Sequence, residues 1–330
     1  MEKIRTAVVG AGNLGRYHLK WYSQLDSSEL VGLFDTDRDR SAHYAAQYNI
    51  TAFESLEELA QLAEAVSIAV PTSAHYEVAS QLVRRGVHCL IEKPVTSLYE
   101  DAVKLAELAN RSGARLTVGQ IERFNPAVRA LSGLDIRPSF IEAHRLAAFD
   151  PRGTDVAVVL DLMIHDIDLT LMSVKSRIAD IQASAVAVVS EKPDIANARL
   201  TFANGAVANL TASRISLQAM RKLRIFQKSG YYSLDLAKKR VDIYRLADRE
   251  EYAEGLRLPL GKSGQDVVYV KKGETGEDML GLELETFLNA LVFDHPMAVS
   301  LEEGIEALRV ALEVERIGCE SANRLSLIHI

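Results

Sequence analysis

Two cysteines in 330 residues, Cys89 and Cys319, are too few for a disulfide framework. Both lie in apolar stretches and read as small buried side chains, which fits a reducing compartment. No run approaches the ~20 apolar residues needed to cross a bilayer. The start, Met1-Glu2-Lys3-Ile4-Arg5, leads into a strand with no apolar signal core, so the expectation is a cytoplasmic protein with no membrane partner. Long blocks of Lys and Arg are also missing. With 38 basic against 45 acidic residues the net charge is −7, and the electrostatic footprint of a nucleic-acid binder is absent. Extensive disorder is excluded by 48% hydrophobic and 25% charged residues. The length is about twice that of a usual domain of ~100 to 200 residues, so two domains are expected.

The first 120 residues alternate short apolar runs with amphipathic segments, the pattern of βα units around a parallel sheet. Strands are expected at Ile4 to Val9, Leu30 to Asp35, near Ala52, Val66 to Val70, Val87 to Ile91 and Leu116 to Val118. Ser55-x-x-Glu58 and Ser97-x-x-Glu100 read as capping boxes, and Gly86 and Gly113 stand where helices should end. Beyond Pro126 the segments lengthen and alternate, as at Phe140 to Phe149, Ile181 to Val189, Ala198 to Leu210, Leu223 to Phe226 and Val241 to Tyr244. That is the pattern of a mainly antiparallel sheet with one face covered. The stretch from Glu250 to Glu277, glycine-rich and charged around one strand-like run at Val267 to Val270, reads as a mobile hairpin or lid, and Ser300 opens a last amphipathic helix carrying Ile305, Leu308 and Leu312. The fold class is thus α/β, with domains at 1–120 and 121–330.

Gly10-Ala11-Gly12-Asn13-Leu14-Gly15 joins the first strand to a helix. Its first glycine permits the tight turn, its second lets backbone approach a pyrophosphate, and its third allows close packing of the helix, whose N-terminus favours anions. Asp35 ends the second strand, twenty residues after Gly15, where a carboxylate reaches ribose hydroxyls and would repel a 2′-phosphate. NAD is therefore favoured, while Arg38 and Arg40 just beyond keep NADP as an alternative.

Glu92-Lys93-Pro94 follows the fifth strand at the carboxyl edge of the sheet, where open α/β folds bind ligands. The triplet recurs as Glu191-Lys192-Pro193 after an antiparallel-looking strand, where it reads as a turn. Position on the sheet marks the first copy as functional.

Val156 to Met172 reads as a helix apolar nearly all round, hence buried, yet Asp161, His165 and Asp168 fall at i, i+4 and i+7 on one face, with Asp166 beside them. Buried ionisable groups need partners or a cleft. A polar seam between domains, a metal site and a catalytic acid–base pair all satisfy that need. No further His or Cys cluster supports a metal, and beside a nicotinamide site the acid–base reading leads, because histidine titrates near neutrality.

Together these motifs resemble the Gfo/Idh/MocA oxidoreductase family over nearly the whole chain: the glycine loop, Pro71-Thr72 with His75, Glu92-Lys93-Pro94, Arg123-Phe124-Asn125-Pro126, Asp161-x-x-x-His165 and the helix after Ser300. The resemblance implies a Rossmann domain followed by a domain with a large, open, mainly antiparallel sheet used for dimer or tetramer contacts. It also implies an NAD or NADP cofactor. Carried over residue by residue, it makes Lys93 the group that binds or polarises the substrate hydroxyl. His165 becomes the general base, with Asp161 supporting the substrate or that histidine. Gly10, Gly12, Asn13, Leu14, Gly15, Asp35, Arg38 and Lys93 belong with the cofactor, and Pro71, Thr72, His75 and Glu92 border the nicotinamide ribose, with Pro94 following a cis peptide. Lys93 and His165 are expected to meet over the cofactor. Met163 departs from the family, which often has glycine at that place.

Pro151 to Asp168 and Ile121 to Pro126 further resemble the UDP-N-acetylglucosamine 3-dehydrogenase branch. The function so implied is hydride transfer between a sugar secondary alcohol and nicotinamide, with a sugar or nucleotide sugar as the small-molecule partner. Arg123, Asn125, Arg145, Arg152 and Arg214 are the expected substrate contacts, since arginine matches a diphosphate bidentately. Another sugar or polyol dehydrogenase, or a cofactor-binding sensor on the same fold, are the alternatives.

Overall fold

The computed structural model describes residues 3–150, 156–248, 254–259, 265–273 and 276–328. The chain forms two compact units, Met1–Phe124 with Glu277–Leu308, and Asn125–Gly276 with Arg309–Ile330. The boundary expected at 120/121 assigns 277–308 to the second domain instead. Sequence gives no sign of a segment that returns to the first unit after 150 residues elsewhere.

In the first unit β1 (Ile4–Val9), α1 (Gly15–Tyr22), β2 (Ser28–Phe34), α2 (Arg38–Tyr48), β3 (Thr51–Ala52), α3 (Leu56–Leu62), β4 (Ala65–Ile68), α4 (His75–Val83), β5 (His88–Glu92), α5 (Tyr99–Ser112) and β6 (Leu116–Gly119) alternate regularly. All six strands run parallel in the order β3-β2-β1-β4-β5-β6, the doubly wound arrangement whose ligands bind outside the carboxyl ends of the strands. The central strands β1, β4, β5 and β6 are buried on both faces over most of their length, which is why they read as continuous apolar runs.

Ser55 caps α3 by accepting from the Glu58 N–H, and Glu58 reaches back to the Glu54 N–H. The second expected capping box fails. Helix α5 starts at Tyr99 behind Leu98, one residue too late for Ser97 to serve as its cap. Gly113, at φ +75°, ends that helix in the left-handed conformation glycine favours.

The second unit holds α6 (Pro126–Arg129), β7 (Phe140–Leu146), a π-turn at Val159–Met163 running into α7 (Ile164–Val174), and then β8 (Ile178–Val186), β9 (Ile195–Phe202), β10 (Val207–Ser213), β11 (Met220–Gln227), β12 (Gly230–Asp235), β13 (Arg240–Asp248), β14 (Leu256–Leu258) and β15 (Gln265–Gly273). These strands make a nine-stranded sheet, β14-β15-β13-β12-β11-β7-β10-β9-β8, antiparallel except for the β7–β10 pair.

Two sequence expectations change here. Ala198 to Leu210 is two strands, because Asn204-Gly205 turns the chain: Asn204 Oδ1 accepts from the Ala206 N–H, and Gly205 sits at φ +86°. Strand β12 was not expected, although Tyr232 and Leu234 alternate inward in it. The strand-like run expected at Val267 to Val270 lies in β15, which pairs antiparallel with β14 and, along nine residues, with β13, so the described part of 250–277 is an edge of the sheet. One face of that sheet is core. The other carries a half-buried aromatic row, Phe140, Phe226, Tyr231, Tyr244 and Tyr269, with successive ring centroids 4.7 to 5.7 Å apart.

Two long helices complete the chain. In α8 (Met279–Val292), Leu284 and Leu288 join Leu19, Tyr22, Leu33 and Leu90 in one core, and Gly281 leaves room for Trp21. Each such side chain contributes about 1.5–3 kcal/mol on burial. Helix α9 (Leu301–Ile328) opens with a reciprocal capping box: Ser300 Oγ accepts from the Glu303 N–H and Glu303 accepts from the Ser300 N–H. Its buried face is Gly304, Ala307, Leu308, Ala311 and Val314, with Ile305 and Leu312 half-buried at its margin.

Candidate functional site

At the carboxyl edge of the parallel sheet the three loop glycines do different work. Gly10 has φ +86°, and a Cβ there would lie 2.7 Å from the Ala69 carbonyl. A Cβ on Gly15 would strike the Gly10 carbonyl at 1.7 Å. A Cβ on Gly12 would meet nothing within 4 Å, so the middle glycine faces the open space a pyrophosphate needs. Asn13 and Leu14 are exposed at the start of α1, which has no side-chain cap and no acidic residue in its first turn. Its N-terminal N–H groups and positive dipole end suit an anion. The loop therefore fits a dinucleotide.

Asp35 is buried, and its carboxylate accepts from the Ala11 N–H at 2.7 Å and the Asp37 N–H at 2.8 Å. It is tied directly to the glycine loop. Of the two arginines beyond it, Arg40 contacts both Asp35 (3.3 Å) and Asp37 (2.8 Å), whereas Arg38 turns onto Glu54. Arg38, expected beside the cofactor, thus has a carboxylate partner on the neighbouring loop.

Glu92-Lys93-Pro94 leaves β5 at the same edge, and the Lys93–Pro94 peptide is cis. Lys93 is half-buried. Glu92 was expected at the nicotinamide ribose, but its carboxylate accepts from His18 Nε2 on α1 at 3.0 Å. A Cβ on Gly119, the register partner of Glu92, would come within 3.0 Å of that carboxylate, so glycine makes its room. His75 is buried with Nδ1 2.8 Å from the Pro94 carbonyl and Nε2 3.0 Å from the Val70 carbonyl. It ties the Pro71-Thr72 loop, where Pro71 is exposed and Thr72 half-buried, to the cis-proline loop. Burial pushes the His75 ring below the ordinary histidine value, against the pull of those two carbonyls. A neutral ring donates to only one of them.

The second unit places His165 on α7, just after the π-turn that contains Asp161, and both are half-buried. Asp168, expected on the same face, is 1% exposed. Asp166 is held by Arg145 in a buried bidentate pair, Nε to Oδ2 at 3.0 Å and Nη2 to Oδ1 at 2.9 Å. Among the described residues no group of three or more His, Cys, Asp or Glu is arranged to hold a metal ion. Lys93 and His165 lie in different units.

The expected substrate contacts are redistributed. Arg145 is committed to Asp166, and Arg214 to Asp194 at 2.9 Å, with further bonds to Ser190 Oγ and the Val156 carbonyl. Arg123 pairs with Glu303 at 3.0 Å and donates to the Ala298 carbonyl. Asn125 caps α6 through the Ala127 N–H and donates to the Leu236 carbonyl. Arg152 lies outside the described residues. Sequence reading passed over His18, although a histidine on the apolar face shared by Leu19 and Tyr22 needs a buried partner.

Comparison with known proteins bears on the fold. The oxidoreductase family model described as GFO_IDH_MocA, NAD-binding Rossmann fold, matches residues 4–120, and the GFO/IDH/MocA C-terminal domain model matches 138–233. The chain is similar to the UDP-N-acetylglucosamine 3-dehydrogenase of Acidithiobacillus ferrooxidans, 39% identical over 97% of this chain and 99% of that one. The solved structure of that protein, GnnA, superposes with a TM-score of 0.85 at 38% identity, covering 96% of this chain and 98% of GnnA. GenD2 from gentamicin A biosynthesis, in complex with NAD, shares the fold at a TM-score of 0.80 and 17% identity over 97% and 95% of the two chains.

Proposed function

The chain belongs to the GFO/IDH/MocA family of NAD-binding oxidoreductases, and from that premise we propose that it oxidises the 3-hydroxyl of UDP-N-acetylglucosamine. One observation carries the choice of substrate: full-length similarity, at 39% identity, to an enzyme of that activity. Bound NAD supplies the hydride acceptor. The buried Asp35 carboxylate just after β2 favours a free ribose 2′-hydroxyl and disfavours a 2′-phosphate.

Gly10, Gly12 and Gly15 with the N-terminus of α1 receive the pyrophosphate. Lys93 binds the substrate hydroxyl oxygen and stabilises the negative charge that develops on it. His165 takes the hydroxyl proton as the C–H hydride departs, leaving a ketone, and Asp161 orients that imidazole. Arg123, Arg145 and Arg214 support this chemistry as scaffold, since each has a carboxylate partner.

Copies of the chain associate, in this reading, through the outer face of the nine-stranded sheet. That face carries, among the described residues, the half-buried aromatic row and a polar hollow of about 510 Å³, lined by Glu142, His144, Asn197, Arg199 and Asn209 among others. Tyr231→Glu lowers the mass seen in sedimentation if the face is the contact. With Cys89 and Cys319 both free and no described helix long and apolar enough to cross a membrane, we place the enzyme in the cytoplasm.

The test is NADH absorbance with NAD and a panel of UDP-N-acetylglucosamine, glucose 6-phosphate and inositols. Selective reduction with the nucleotide sugar supports the reading. Reduction only with a phosphorylated sugar or polyol replaces the substrate, and no reduction with any of them favours a cofactor-binding sensor.

A further inference from the structure

We infer that His18 is a positioning residue for Lys93, acting through the Glu92 carboxylate. The inference rests on the proposed role of Lys93 and adds a residue to it. His18 is fully buried on α1, and Glu92 is its hydrogen-bond partner through Nε2, at 3.0 Å. Its other nitrogen, Nδ1, is buried with no hydrogen-bond partner. Buried polar atoms in folded proteins are nearly always satisfied, and the bond to Glu92 is the one side-chain hydrogen bond of this ring among the described residues.

Glu92 needs the same explanation from its own side. A carboxylate taken out of water is unfavourable unless it is paired, yet Glu92 points inward at the last position of β5, immediately before Lys93. The fold makes room for it twice, with His18 on one side and the missing side chain of Gly119 on the other. An apolar residue would fill that place without an ion. What the carboxylate adds is a fixed end for β5, so that the chain leaves Glu92 in one direction and Lys93 follows it.

Helix α1 gives this anchor a second consequence. The helix that carries His18 begins at Gly15, the glycine packed against the Gly10 carbonyl, so the element whose N-terminus faces the cofactor pyrophosphate also grips the residue before Lys93. Displacement of a catalytic group by about 1 Å costs roughly a hundredfold in rate. His18 therefore bears on turnover while standing outside the chemistry.

The test compares His18→Leu, which removes the donor, with His18→Gln, whose amide nitrogen stands near the Nε2 position. Circular dichroism establishes folding, and His18→Asn, too short to reach Glu92, replaces the leucine variant if that one does not fold. With UDP-N-acetylglucosamine and NAD, the leucine variant loses about tenfold to a hundredfold in kcat, shows a larger deuterium isotope effect on hydride transfer, and keeps its NADH affinity within about threefold. His18→Gln recovers most of the rate. Wild-type kcat in a folded leucine variant, or equal losses in both, overturns the inference.

A second measurement stands apart from activity. The rate at which acetic anhydride modifies Lys93, followed by peptide mass spectrometry, changes at least about threefold in His18→Leu while the rates of other lysines stay constant. An unchanged Lys93 rate overturns the inference even if the wild-type protein oxidises no sugar, an outcome that would overturn the proposed substrate separately.

Discussion

The triplet Glu-Lys-Pro occurs twice in this chain, and the two copies do opposite things. At 92–94 it leaves a parallel strand at the carboxyl edge: the glutamate is buried against His18, the lysine is half-buried, and the proline carbonyl meets His75. At 191–193 it lies in the link between β8 and β9, with Glu191 and Lys192 exposed. Asp194, just after the second copy, organises that link. Its carboxylate accepts from the N–H groups of Val188, Val189 and Ser190, from Ser190 Oγ and from Arg214 Nε.

The second copy also has a task. The Pro193 carbonyl accepts from the Val158 N–H, and Arg214 holds the Val156 carbonyl, so the link braces the entry to the π-turn before His165. A triplet is thus a site in one place and a brace in another, according to the strand it follows.

Substitutions at the two lysines should separate the copies most widely. Lys93→Ala is expected to cut kcat by about a hundredfold to ten-thousandfold while NADH binding by fluorescence stays nearly constant, and Lys192→Ala to leave kcat within about twofold. Equal effects would dissolve the distinction.

Next in size is the brace. Asp194→Asn leaves the buried Arg214 guanidinium without its counter-ion and should cost about 3–5 kcal/mol in urea unfolding. A cost under ~1 kcal/mol would mean that the cage is decorative.

The glycine loop gives a smaller, divided effect. Gly12→Ala, with open space around its Cβ, should fold with an unchanged melting temperature yet weaken NAD by about tenfold, whereas Gly15→Ala should not fold stably. Gly12→Ala binding NAD normally would remove the pyrophosphate from that position.

Acid gives the mildest test. Burial lowers His75, and burial together with Arg115 lowers His88, so both rings favour the neutral form when folded. Their contribution is fully present above the unfolded value of about 6.5 and is lost as pH falls through the depressed folded values. For Asp194, burial alone would raise the carboxyl, but the donors from Ser190, Val189 and Val188 outweigh it and hold the group far below the ordinary carboxylate range. Its contribution therefore survives mild acid. Hydrogen exchange on lowering the pH from about 7 to about 5 should loosen amides around the first triplet and spare those around the second. The reverse pattern would contradict both assignments.

How much of this was legible in the sequence depended on whether a feature was local. The six parallel strands, the glycine loop and Asp35 were readable because apolar runs and turn glycines report on their own neighbourhood. Ser97 misled, because a capping pattern fixes a helix start only to within a residue. Glu92, Arg145 and Arg214 were assigned to ligands since sequence displays charge but not the distant partner that engages it, and His18, Asp166 and Asp194 stand 74, 21 and 20 residues away. The return of 277–308 to the first unit was hidden for the same reason.

The most direct test of the account is the fate of the hydrogen on C3. UDP-N-acetylglucosamine deuterated at that carbon, turned over with NAD, should yield reduced cofactor carrying the deuterium, together with a 3-keto sugar and a primary isotope effect. Reduced cofactor free of deuterium, or a ketone at another carbon, would contradict it.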